Sequence, residues 1–253
     1  MPEATALQAS ERNETGPTRR TLLQVGIATA GGFLLGFHLP FAAGAEVEVF
    51  APNAFIRIDR QGKVTLVMPQ VEMGQGVYTS IALILAEELD AAFADVTLEH
   101  ALPNDALYAN PTFHLQVTGN SNSIRAFWMP LRKAGAGARA LLVQAAAKVW
   151  GVDPATCRAE NSQVLHDPSG RKLAYGALAG PAAALTALKE PPLKPVTDFK
   201  LIGQPLKRLD TPDKVNGKAV YGIDAMPQGV KFATLAACPV FGGRVQRVDD
   251  RKA

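Results

Sequence analysis

The sequence predicts a mixed α+β fold organised around a polar, glycine-centred loop. Three observations predict it. Asn53–Asp59 and Lys63–Met68 alternate in side-chain character around Arg60-Gln61-Gly62, the pattern of paired strands with a glycine turn. Two longer segments, about Val77 to Leu89 and the stretch ending near Trp150, repeat apolar residues at spacings of three and four, the period of a helix. Between the second strand and the first helix stands Val71-Glu72-Met73-Gly74-Gln75-Gly76-Val77-Tyr78-Thr79-Ser80. There an amide side chain is held between two residues with no Cβ, so backbone N–H groups can approach a ligand closely. The helix that follows aims its unpaired N–H groups at the same place. A plain tight turn is the alternative reading of the loop taken alone.

Composition bounds the function. The chain has 253 residues, enough for a substantial core. A net charge of +3 without a long Lys or Arg run argues against a nucleic-acid partner. Cys157 and Cys238 fit no metal spacing, and the readings left are one disulfide in an exported protein or two buried free thiols. His38, His100, His114 and His166 stand in unrelated surroundings, so no metal cluster is assigned.

Residues 1–17 are polar and unpatterned, and disorder is expected there. Thr18-Arg19-Arg20-Thr21 then precedes an apolar, glycine-interrupted stretch that closes on Ala43-Gly44-Ala45. Paired arginines, an apolar region and an A-x-A end make residues 1–45 a twin-arginine export signal, with periplasmic location implied. An uncleaved membrane anchor is the alternative; the glycines and Pro40 weigh against it.

Pro69 ends the second strand. In the helix that follows, Ile81, Ile84, Leu85 and Leu89 share one face. Glu87, Glu88 and Asp90 crowd its C-terminal end against the helix dipole, which calls for a basic partner surface. Val96–His100 reads as a strand, and residues 101–117 as a long loop. Thr118-Gly119-Asn120-Ser121-Asn122-Ser123 then gives a second small polar cluster ahead of a helix. Capping needs one such residue, and this run has five and a glycine. Pro130 marks either a break or the true start of the long helix. Its stripe is Leu131, Ala134, Ala138, Leu141, Leu142, Ala145 and Val149, with Arg132, Lys133, Arg139 and Lys148 off it, and Gly151 ends it. A small hairpin is expected over Arg158–Asp167 and Arg171–Leu173, and a short helix over Ala174–Leu188. The proline-rich stretch 190–199 reads as a stiff linker and domain boundary. Beyond it an Asn216-Gly217 turn and strands at Val220–Asp224 and Phe232–Ala236 are expected.

Taken in order, these motifs resemble the molybdenum-binding subunit of the xanthine dehydrogenase and aldehyde oxidase family. The likeness is greatest to its exported, isoquinoline 1-oxidoreductase beta-subunit-like branch. Glu72 to Thr79 is similar to the family's Gly-Gln-Gly cofactor segment, and Thr118 to Ser123 to its serine-rich cofactor segment. Arg208-Leu209-Asp210-Thr211-Pro212, Lys214-Val215-Asn216-Gly217 and Tyr221-Gly222-Ile223-Asp224 are similar to the start of its a/b hammerhead domain. The resemblance implies residues 46–189 as the N-terminal part of a molybdopterin-binding domain and 200–253 as an incomplete hammerhead. It implies molybdopterin with molybdenum, in the cytosine dinucleotide form. Gly74, Gln75 and Gly76 would contact the pterin side, and Gly119, Ser121, Asn122 and Ser123 the pterin or phosphate groups. Aldehydes or N-heterocycles would be hydroxylated with oxygen from water. Electrons would leave through a two-cluster 2Fe–2S subunit and then a cytochrome c.

One departure matters. The family's general-base glutamate lies near the end of a chain several times longer, and Glu72 is not a substitute for it, so no catalytic residue is assigned. The expectation is a fragment, a truncated product or half of a split subunit, completed by a missing C-terminal part. The competing reading is an exported, non-catalytic scaffold or binding module with the same partial fold. An unrelated periplasmic nucleotide-binding domain is discounted, because its strand–helix phosphate fingerprint is absent.

Overall fold

A computed structural model describes residues 49–249 and Arg251. The export signal expected at 1–45 lies outside the described residues. The chain divides into two compact units, meeting between Arg208 and Leu209.

In the first unit, β1 (Phe50–Asn53), β2 (Ile56–Ile58), β3 (Val64–Met68) and β4 (Val96–His100) form one sheet in that order. The predicted hairpin is β2–β3, antiparallel with Ile56 opposite Leu66. β4 pairs with β3 in parallel, Val64 opposite Val96 through Met68 opposite His100. Parallel neighbours need a crossover, and helix α1 (Val77–Leu89) supplies it. The glycine loop therefore leaves the carboxyl end of a parallel strand, where open α/β sheets place their ligands.

Helix α1 has the bounds its periodicity predicts. Ile81, Leu85 and Leu89 are fully buried, each worth about 1.5–3 kcal/mol of apolar transfer. The long 101–117 loop contains one short turn of helix, α2 (Asp105–Tyr108). Helix α3 (Ser123–Trp150) continues unbroken through Pro130. The proline removes one donor, yet Phe127 and Leu131 on either side are buried, and this packing holds the helix together. Most of the predicted stripe faces inward, but Val149 is exposed and Arg132, expected off the stripe, is buried.

Three strands, β5 (Cys157–Glu160), β6 (Gln163–His166) and β7 (Arg171–Ala174), form a second, antiparallel sheet. The sequence led to a single hairpin here. The extra reversal is at Asn161 and Ser162, both at positive φ, a conformation that side-chain identity alone signals weakly. Helix α4 (Tyr175–Ala183) follows and is shorter than expected. Its Tyr175 hydroxyl, fully buried, donates to the last-turn carbonyl of Leu89 at 2.6 Å and so ties α4 to the end of α1.

Residues 190–202 are tied down along the first unit. They form a strap bound to α1 and α3. Lys194 Nζ meets Glu87 at 3.1 Å and Asp90 at 2.6 Å, while the Lys194 N–H donates to Glu88. The N–H groups of Lys200, Leu201 and Ile202 converge on one oxygen of Glu87. The acidic end of α1 thus finds its cations and donors inside the chain rather than on a partner. The physical reason is burial: Glu87 and Glu88 are almost wholly enclosed, and a buried carboxylate requires partners.

In the second unit, helix α5 (Thr211–Val215) is present, but the expected strands at 220–224 and 232–236 are not formed among the described residues. Gly222–Asp224 is instead a single 3-10 turn. A strand is stable only in a ladder, and no described segment of this unit pairs with another. Ile223, Phe232 and Leu235 consequently stay exposed. Cys157 and Cys238 are both free thiols, neither of them buried, which corrects the expectation of buried ones.

Candidate functional site

The two polar loops that the sequence singled out lie side by side. Gln70, fully buried, makes the junction. Its Nε2 donates to the Val117 carbonyl at 3.1 Å, and its Oε1 accepts from the Ser123 hydroxyl at 2.8 Å. One residue on, the Val71 N–H donates to Thr118 Oγ1 at 2.8 Å. The β3–α1 loop and the start of α3 are therefore one surface, although 47 residues separate Val71 from Thr118 in sequence.

Within the first loop, Gly74 (φ 104°) and Gly76 (φ 88°) hold conformations that an L side chain resists. They let the chain coil around the Glu72 carboxylate. Glu72 Oε1 accepts from the N–H groups of Gly74 at 2.7 Å and Gly76 at 3.0 Å, and Oε2 from Tyr78 at 3.1 Å. Arg208 adds a guanidinium contact to Oε1 at 3.0 Å and a second to the Gly74 carbonyl at 2.8 Å. Burial by itself would raise the Glu72 pKa. The N–H groups of Gly76, Tyr78 and Gly74, together with Arg208, outweigh it and hold the carboxyl below the ordinary range. The carboxylate also meets the positive end of the α1 dipole.

Gln75 is exposed at the loop tip. Its amide spans the loop: Oε1 accepts from the Met73 N–H at 2.5 Å and Nε2 donates to the Val71 carbonyl at 2.9 Å. In the second loop, Asn120 and Ser121 adopt positive φ and Ser121 is exposed. Gly119 has open space where a Cβ would stand. Asn122 is buried, and its side chain pairs with the buried amide of Asn110 at 3.0 Å. It heads α3 without a side-chain cap, so the donors of that helix start are not taken by a capping side chain. Sequence reasoning missed Gln70, Asn110 and Arg208 as parts of the site. For Arg208 no local signal existed, because it arrives from 136 residues away.

A profile of the molybdopterin cofactor-binding domain matches residues 4–234. The chain belongs to that family. Among characterised relatives of this family member, the isoquinoline 1-oxidoreductase beta subunit of Brevundimonas diminuta is 33% identical over 85% of this chain and 33% of its own length. A membrane-bound aldehyde dehydrogenase (pyrroloquinoline-quinone) of Gluconacetobacter polyoxogenes is 31% identical over 96% of this chain and 32% of its own. A nicotinate dehydrogenase subunit of Pseudomonas putida is 34% identical over 66% of this chain and 14% of its own. The chain thus spans about a third or less of the relatives it matches. Among solved structures, quinoline 2-oxidoreductase of Pseudomonas putida 86 aligns over 49% of this chain and 15% of its own, with 22% identity and a TM-score of 0.37. The motif resemblance to the xanthine dehydrogenase family agrees with this membership.

The residues present suit a pterin with anionic phosphates. The surface offers hydroxyls, a loop-tip amide and the uncapped start of a 28-residue helix. These are donors to oxygen and ring nitrogen rather than metal ligands. Among the described residues no cluster of His, Cys, Asp or Glu is able to hold a metal ion.

Proposed function

We propose that this chain is the N-terminal, cofactor-cradling part of the molybdenum subunit of an exported oxidoreductase that hydroxylates aldehydes or N-heterocycles. The cofactor in this reading is the cytosine dinucleotide form of molybdopterin. Bound there, it supplies the two-electron chemistry that places oxygen from water on the substrate. The chain's own residues bind and orient it. Gln75 and Ser121, exposed, and Gly119, half-buried, form the contact face. Gly74 and Gly76 shape the first loop, and Ser123 and Asn122 hold the second from beneath. The observation that carries this reading is the Gln70–Ser123 bond, which brings two loops of matching chemistry into one surface at the end of a parallel strand. A two-cluster 2Fe–2S subunit and a cytochrome c complete the proposed electron path, and the rest of the molybdenum subunit supplies the general base and the substrate pocket. Names of the relatives support the reaction class.

The test uses the complete native polypeptide carrying this region, purified from the exported fraction with its partners. Molybdenum and released cytidine nucleotide are measured per protein, and turnover is followed in 18O water. Near-stoichiometric metal and nucleotide, with label in the product, are expected. Gln75→Ala and Ser121→Ala should each lower cofactor content or turnover about tenfold, the size of one or two lost hydrogen bonds. A folded protein without molybdenum sinks the enzyme reading in favour of the scaffold one, and two fully loaded, fully active variants sink the site assignment.

A further inference from the structure

We propose that Glu72 and Arg208 form a positioning pair that presets the backbone under Gln75 and so presents its amide to the cofactor. What Gln75 meets rests on the reading above; how it is held is visible in the loop. Three donors at alternate positions, the N–H groups of Gly74, Gly76 and Tyr78, close on Glu72. These N–H groups are engaged by the chain's own carboxylate, which stands where an external anion would otherwise sit at the start of α1. The glycine loop is thereby a poor phosphate seat, and the Gln75 side chain lies exposed at its tip. Anionic parts of the cofactor fall to the 118–123 loop instead.

Arg208 braces this frame from the far side. Its two prongs touch both the carboxylate and the Gly74 carbonyl, so it fixes the charge and the peptide plane next to Gln75 at once. Gln75, by contrast, is held by two bonds of its own amide to its own loop, to the Met73 N–H and the Val71 carbonyl. Rotation of the Gln75 side chain would free its donor and its acceptor for a cofactor, while the Glu72–Arg208 frame stays in place.

The test reads the loop and the cofactor separately. In the complete native polypeptide, amide hydrogen exchange is followed by mass spectrometry over residues 71–80 and 135–150 for wild type, Arg208→Met, Arg208→Lys and Glu72→Gln. Molybdenum per protein is measured on the same samples. Arg208→Met and Glu72→Gln should raise exchange over 71–80 about tenfold, the size of one charge-assisted hydrogen bond, and leave 135–150 unchanged. Arg208→Lys keeps the charge but loses the two-pronged contact, and should fall between. Molybdenum content should drop in the same order. Unchanged exchange over 71–80, or an equal rise in both segments, overturns the positioning pair. Raised exchange over 71–80 with cofactor content and turnover at the wild-type level overturns its role in presenting Gln75. Absence of molybdenum from the wild type overturns the cofactor reading itself, while the exchange data still decide whether the pair holds the loop.

Discussion

Gly135 of α3 lies so close to Glu88 of α1 that a methyl group at position 135 would stand 2.8 Å from the Glu88 Cβ and 2.8 Å from the Leu85 carbonyl. The two helices approach there at backbone distance. This close approach seats Glu88 at the centre of the helix pair, where Arg132 Nε donates to it at 2.7 Å and Arg139 stands at 3.5 Å.

Gly135→Ala should therefore destabilise the protein despite alanine's better helix propensity. The intrusion is against backbone and Cβ atoms, which cannot swing aside. The loss should be about 1–3 kcal/mol, as for other overpacked cores. Thermal or urea unfolding of the variant checks it, and an unchanged or raised midpoint would show that the helices separate at little cost.

Arg132→Met should be worse. Arg132 also lies within 5.4 Å of the Trp128 ring centroid and 5.1 Å of that of Phe199, so methionine keeps much of the packing and loses the charge. Glu88 would retain Arg139 and the Lys194 N–H in a buried setting. About 3–5 kcal/mol of lost stability is expected for a buried carboxylate deprived of its main partner. A double variant, Arg132→Met with Glu88→Gln, should recover part of that loss in the same unfolding assay. No recovery would mean that the charge of Glu88 is not the reason.

The strap should loosen in acid. Burial alone would raise the Glu87 pKa, but the N–H groups of Leu201 and Ile202 and the ammonium of Lys194 more than compensate, and the pKa is lowered. A carboxyl with a depressed folded pKa adds stability that is present above its unfolded value, about 4.5, and is lost as pH falls through the folded one. Wild type should exceed Glu87→Gln by about 1–3 kcal/mol at pH 7. The gap should close below pH ~4.5 as Glu87 protonates. Melting both proteins from pH 7 to pH 3 tests this; a constant gap would assign the strap's hold to the remaining contacts.

How far the sequence could be read depended on the range of the forces involved. Helix α1 was legible because Ile81, Leu85 and Leu89 repeat at the helical period. The β2–β3 hairpin was legible because its turn and alternation are neighbours in sequence. Pro130 misled, because a local rule about donors was overridden by packing of Phe127 and Leu131. The strands expected at 220–224 and 232–236 failed for the opposite reason: the residues have the right character, but a strand also needs a partner, and character alone does not supply one.

The sequence by itself determined the α+β class, the two polar loops and the family to which they belong. Local periodicity, turn chemistry and residue type carry those, and all three are written in adjacent residues. Only the tertiary structure decided that the loops meet, through Gln70 and Ser123, 53 residues apart. It alone decided that Glu72 closes the first loop with Arg208, and that the acidic end of α1 is bound by the chain's own strap. Those facts rest on hydrogen bonds and charges brought together by burial of the helix faces. The choice of partner for a buried carboxylate is made by distance in space, which no local pattern records.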